Sequence, residues 1–130
     1  MQQRQIDEWP DVYETQTPEA EIASYCPIEA TLRVVGGKWK PLIIYYLLGG
    51  TRRFGALRRL IPKVTQQMLT MQLRELAQDG IVHRKVYAEV PPRVEYSITE
   101  YGRTLEPFMN MMAEWGAAHQ HATARHEEAS

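Results

Sequence analysis

Thr65-Gln66-Gln67-Met68-Leu69-Thr70-Met71-Gln72-Leu73-Arg74-Glu75-Leu76-Ala77-Gln78-Asp79-Gly80 carries the start, the body and the stop of one helix. Thr65 is a residue type whose side-chain oxygen caps a helix start, and Gly80 stands where a left-handed residue ends one. At 100° per residue Leu69, Leu73 and Leu76 fall together and define the buried side. Gln67, Thr70, Met71, Arg74 and Gln78 fall on the opposite arc. Ile81-Val82-His83-Arg84-Lys85-Val86-Tyr87 and Arg93-Val94-Glu95-Tyr96-Ser97-Ile98 follow at once, two β-rich runs around Ala88-Glu89-Val90-Pro91-Pro92. They read as a hairpin with a proline-stiffened tip.

Upstream, Phe54 to Ile61 has Leu57 and Leu60/Ile61 on one apolar face, and Pro62 closes that helix before the turn at Lys63-Val64. Thr51-Arg52-Arg53 is a short extended link. Lys38-Trp39-Lys40-Pro41 opens an apolar helix through Leu48, which Gly49-Gly50 ends, so a central buried helix is expected there. Cys26-Pro27 opens the first helix, with Ile28, Leu32 and Val35 at helical spacing up to Gly36-Gly37. Downstream, Thr99 or Thr104 can cap a last helix whose stripe holds Tyr101, Leu105, Phe108, Met109, Met112, Trp115 and Gly116, with Pro107 in its first turn or at a kink.

Three helices, a turn, a recognition-length helix and a stiff hairpin, then a last helix, make a mainly α winged helix-turn-helix with a two- or three-stranded sheet. The organisation expected is an acidic arm over 1–25, a domain over 26–119 and a frayed polar tail over 120–130. The arm holds Pro10 and Pro18 and too few apolar residues for a core of its own.

The formal net charge of the 130 residues is −1, which alone argues against nucleic acid, but it is unevenly spread. Residues 1–30 carry one basic and seven acidic residues; residues 38–94 carry eleven basic against Glu75, Asp79 and Glu89. A basic centre between acidic ends is the footprint of a DNA-binding core. A solvated basic face that binds nothing is the bland alternative, because sequence does not show whether the cations converge.

For base contact, the residues near the helix start, Thr65, Gln66, Gln67 and Thr70, are best placed, with Met71 and Arg74 further along. Amides, hydroxyls and a guanidinium match base-edge donors and acceptors. For backbone contact the pattern offers Lys38, Arg52, Arg53 and Lys63 around the turn, and Arg84, Lys85 and above all Arg93 in the wing. The apolar stripe Leu105, Phe108, Met109, Met112 and Trp115 is too wide to leave exposed and reads as a homodimer interface.

The stretch Cys26 through Trp115 resembles the HxlR-type winged-helix regulators of bacteria. The matching segments are Gly36-Gly37-Lys38-Trp39, Arg53-Phe54 with Leu57, Ile61-Pro62, Met68-Leu69 with Leu73 and Leu76, Asp79-Gly80-Ile81-Val82, and Pro91-Pro92-Arg93-Val94-Glu95-Tyr96-Ser97-Ile98-Thr99. The resemblance implies a dimeric regulator of double-stranded operator DNA, often a repressor and sometimes an activator, with the first and last helices in the dimer interface. It also implies that Cys26 matches an N-terminal cysteine with which some relatives sense oxidants or electrophiles, making an oxidant or small molecule the expected effector. Lys63 departs from the glycine common after the Ile-Pro pair.

Other chemistries find little support. Gly36-Gly37-Lys38 lacks the spaced glycine and the Ser or Thr of a phosphate-binding loop. His119, His121 and His126 have no carboxylate or cysteine at metal-ligand spacing, and no nucleophile, base and orienter assemble into an enzyme. Neither a metal nor a cofactor is expected. Cys26 is the only cysteine, so no intrachain disulfide forms. With no apolar run of membrane length and no leader-like opening, the expected compartment is the cytoplasm. The rival from another class is a winged-helix protein-interaction module that does not bind DNA.

Overall fold

The structure, a computed structural model, describes residues 26–129, and the arm over 1–25 lies outside them. Two compact units divide at Gly37/Lys38, and helix α1, Pro27–Val35, is the described element of the first. Pro27 occupies its first turn, where a missing N–H costs nothing, and Cys26 precedes it in extended backbone. The Gly36 N–H closes the helix on the Leu32 carbonyl at 2.7 Å. Of the three apolar residues expected on one face, only Val35 is buried; Ile28 and Leu32 stand exposed.

In the unit 38–130, α2 (Lys40–Leu48) buries Ile43, Ile44 and Leu47 completely, as its sparse polar content predicts. Its outer edge departs from that expectation, because Leu42 and Tyr45 are exposed. Arg52–Arg53, expected as a short extended link, is a strand, β1. It pairs antiparallel with the second hairpin strand, Arg52 opposite Tyr96 and Arg53 opposite Glu95. Helix α3 (Phe54–Leu60) buries Leu57, and after it Ile61 enters the core while Leu60 turns outward.

Helix α4 (Gln66–Gln78) begins where Thr65 accepts a hydrogen bond from the Met68 N–H at 3.1 Å. It ends in a Schellman closure: the Gly80 N–H bonds the Ala77 carbonyl at 3.0 Å and the Ile81 N–H bonds the Leu76 carbonyl at 2.9 Å. That closure needs a left-handed residue, and Gly80 has φ +77°. Leu76 and Ile81, the pair that such a closure brings together, are both buried.

The chain leaves Ile81 directly as strand β2 (Val82–Tyr87), which pairs antiparallel with β3 (Arg93–Ile98) from Val82 opposite Ile98 to Tyr87 opposite Arg93. The sheet order is β1-β3-β2, so the wing has three strands. Thr99 ties it back to α4. Its hydroxyl donates to the Gly80 carbonyl at 2.6 Å and accepts from the Gly102 N–H at 2.9 Å, capping a 3-10 turn over Gly102–Leu105. A side chain at Gly102 would overlap the Ile81 carbonyl, so this close approach requires glycine. Thr104 caps nothing; its hydroxyl donates to the Tyr101 carbonyl.

Helix α5 runs Glu106–Ala129, with Pro107 in its first turn. The polar end over 120–130 is therefore helical up to Ala129, not frayed. Its residues have good intrinsic helix propensity, Ala, Gln and Glu among them, and this needs no buried face. Among the described residues no helix is long and apolar enough to cross a membrane.

Candidate DNA interface

Leu69, Leu73 and Leu76 anchor α4 with essentially no exposure. The turn from α3, closed by Pro62 and sunk by Val64, fixes where the helix starts. With that side buried, Gln67, Thr70, Met71, Arg74 and Gln78 lie exposed, as the wheel predicts, and Gln66 is exposed as well. Two of the expected base readers are already engaged. The Thr65 hydroxyl caps the helix, and the Thr70 hydroxyl donates to the Gln66 carbonyl at 2.8 Å. Thr70 therefore presents a methyl and an acceptor, not a free donor. Gln67 and Arg74 keep their full hydrogen-bonding capacity.

The cations separate into committed and available sets. Arg52 donates through Nε to the Tyr46 carbonyl at 2.8 Å, fastening β1 to the end of α2. Lys40 is nine-tenths buried and reaches Glu75 on α4 at 2.6 Å. In sequence Lys40 is one of the eleven basic residues of 38–94; its place beside Pro41, at the head of an apolar helix, was the available signal of burial. Arg93, the wing residue expected first at the DNA backbone, is the most heavily engaged of these cations. It lies 3.2 Å from Glu89 and 3.6 Å from Glu95, stacks 3.9 Å from the Tyr87 ring centre, and buries an Nε with no hydrogen-bond partner. Two carboxylates offset its charge, so it organises the wing from within.

Among the described residues Arg53, Arg58, Arg59, Lys63, Arg74 and Arg84 have no carboxylate partner and are exposed. Lys85 and Lys38 are exposed too, each resting over a neighbouring ring, Tyr87 and Trp39, at 4.8 Å. Such stacking leaves the ammonium open to an anion. These cations come from the segment before α2, β1, α3, the α3–α4 turn, α4 and β2. A duplex presenting its major groove to α4 would meet phosphates on either side.

The α5 stripe is divided. Met109 is buried within this chain and Leu105 is partly buried, whereas Phe108, Met112 and Trp115 are exposed. Met111, absent from the predicted stripe, joins them at 70% exposure. Trp115 stacks on His119 with ring centres 4.9 Å apart. Cys26 is a free thiol of intermediate exposure.

Residues 34–124 match the model of the HxlR-like helix-turn-helix family. The HTH-type transcriptional regulator YdeP of Bacillus subtilis (strain 168) is 58% identical over 91 residues, 70% of this chain and 71% of that protein. Among solved structures, the redox regulator HypR in its oxidized form shares 59% identity at a TM-score of 0.70, covering 72% of this chain and 96% of that one. HypR in its reduced form shares 54% at 0.73, covering 77% and 99%. The capped helix, the hairpin wing and these matches coincide on the same residues, and the chain belongs to the HxlR-like helix-turn-helix family of transcriptional regulators.

Proposed function

We propose that this chain controls transcription in the cytoplasm by binding operator DNA as a symmetric homodimer, in most settings as a repressor. Each α4 lies in a major groove with Gln67 and Arg74 at base edges, while Arg84 and Lys85 of the wing follow the flanking backbone. The observation that carries this reading is the exposed arc of α4. It bears one charge, Arg74, where a merely solvated helix would carry several, and Lys63 in the turn before it and Arg84 across the groove beside it have no carboxylate partner among the described residues. The second chain docks on the exposed Phe108, Met111, Met112 and Trp115 of α5.

Selection of bound fragments from genomic DNA, followed by titration over a salt series, tests the reading. Enrichment of a two-fold symmetric site, with affinity falling steeply as salt rises, is the expected result. Recovery of no preferred site, or binding indifferent to salt, refutes it.

A thiol-based response is the second component, favoured by the similarity to HypR, a redox regulator solved in oxidized and reduced forms. Cys26, the only thiol of this chain, stands at the start of α1 and is partly exposed.

A further inference from the structure

The recognition helix and the sheet enclose a groove of about 560 Å³ on the flank of the reading face. Gln66, Thr70, Leu73, Arg74 and Ala77 form its helical wall, a single stripe at helix spacing. Arg84 and Tyr96, directly opposed across β2 and β3, stand on one face of the sheet and with Val94 form the other wall; Phe54 closes one end. Phosphate recognition requires cations and donors, but the body of this groove is apolar: Phe54, Leu73, Ala77, Val94 and the Tyr96 ring. Its charges are two guanidiniums, Arg74 and Arg84, neither paired with a carboxylate among the described residues, and no acidic side chain lines it. The volume is in the range of small-molecule sites.

We infer that this groove binds a small amphipathic organic anion, a flat apolar body ending in a carboxylate, with Arg74 and Arg84 on the carboxylate and Phe54 and Tyr96 along the body. Guanidinium forks match carboxylates in geometry as well as charge. Occupancy covers Arg74, which the DNA reading places at the major groove, so the anion and DNA compete. This consequence rests on the proposed function; binding of the anion does not.

The experiment titrates the full-length, DNA-free protein calorimetrically with 2-naphthoate and with its uncharged counterpart 2-naphthylmethanol. One naphthoate per chain is expected, with the alcohol at least about tenfold weaker, the scale of a charged hydrogen bond. Arg84→Gln should weaken naphthoate severalfold, and Arg74→Gln combined with Arg84→Gln should bring it to the level of the alcohol, with the alcohol itself little changed. Ala77→Trp, a replacement at an exposed helix position whose folding is checked by thermal melting, should fill the groove and abolish both. Equal binding of acid and alcohol, no saturable binding, or binding insensitive to Ala77→Trp in a folded variant overturns the site. Displacement of bound DNA by naphthoate is then expected; binding to the free protein with no displacement overturns the competition and leaves the site. A protein that binds naphthoate but no DNA at all refutes the DNA reading instead.

Discussion

The Lys40 ammonium, nine-tenths buried at the head of α2, lies 2.6 Å from the Glu75 carboxylate on α4, joining the central helix to the recognition helix. The two partners are unequal, because the Glu75 side chain keeps 44% of its exposure and that of Lys40 only 11%. Removing the carboxylate strands a buried cation; removing the cation frees a carboxylate that water can reach. Glu75→Leu should destabilise by about 1–3 kcal/mol and Lys40→Met by under about 1 kcal/mol, and the double variant should recover most of the loss. Urea midpoints of the four proteins complete the cycle. Equal costs for the two single variants would show that the pair is effectively solvent-exposed.

The order of elements was legible because each boundary has its own local chemistry: the Thr65 hydroxyl, the left-handed Gly80, Pro62 after α3 and Pro27 in the first turn of α1. The exposed arc of α4 was legible for the same reason, since the three leucines fix the rotation of the helix. The availability of each cation was not. Lys40, Arg52 and Arg93 are as basic in sequence as Arg53 or Arg84, and only tertiary approach brings Glu75, the Tyr46 carbonyl and the Glu89–Glu95 pair to them. The burial of Met109 inside the predicted α5 stripe has the same origin: periodicity identifies an apolar face without saying which chain covers it.

Base reading should separate along α4. Gln67 has both amide groups open, so Gln67→Ala should relax base preference at one position per half-site at a cost of about 1–3 kcal/mol. Thr70→Val removes a hydroxyl proton that the Gln66 carbonyl already holds, so specificity should change little. Competition binding against operators varied at each position checks both. A loss of preference on Thr70→Val as large as that on Gln67→Ala would show that the Thr70 hydroxyl rotates onto DNA.

In the wing, charge and structural support should come apart. Arg93→Ala takes a partner from Glu89, Glu95 and the Tyr87 ring, so it should weaken DNA binding by loosening the hairpin while leaving the salt slope nearly unchanged. Lys63→Ala removes an exposed cation in the turn before α4 and should lower the slope of log affinity against log salt by about one. Titrations at several salt concentrations distinguish the two. A flattened slope for Arg93→Ala would place its guanidinium on a phosphate.

Dimerisation has a direct test on α5. Phe108, Met111, Met112 and Trp115 recur at three- and four-residue spacing and are all exposed, whereas Met109 is buried within the chain. Met112→Lys puts a charge into the proposed contact without touching the chain's own core. It should shift sedimentation from dimer to monomer at micromolar concentration and abolish operator binding, with helical content retained. A wild type already monomeric under those conditions refutes the interface.

Cys26 can be assigned by counting thiols. With one cysteine per chain, oxidation by diamide can join Cys26 to a second chain or to a small thiol. In the first case two Cys26 thiols give up two hydrogens to diamide, which becomes the hydrazine, and one disulfide links two chains. In the second, one Cys26 and one glutathione do the same and the chain stays single. Both products put a bond or a bulky group at the start of α1, where Cys26 adjoins the first turn through Pro27. On the proposal that α1 lies at the dimer interface, either product should alter the spacing of the two recognition helices and lower operator affinity. Non-reducing electrophoresis and mass measurement identify which product forms, and Cys26→Ser should abolish both the product and the loss of affinity. If the wild type and Cys26→Ser respond alike to diamide, or if the folded wild type resists alkylation, Cys26 is a structural residue and regulation enters elsewhere, with the α4–sheet groove the next site to examine.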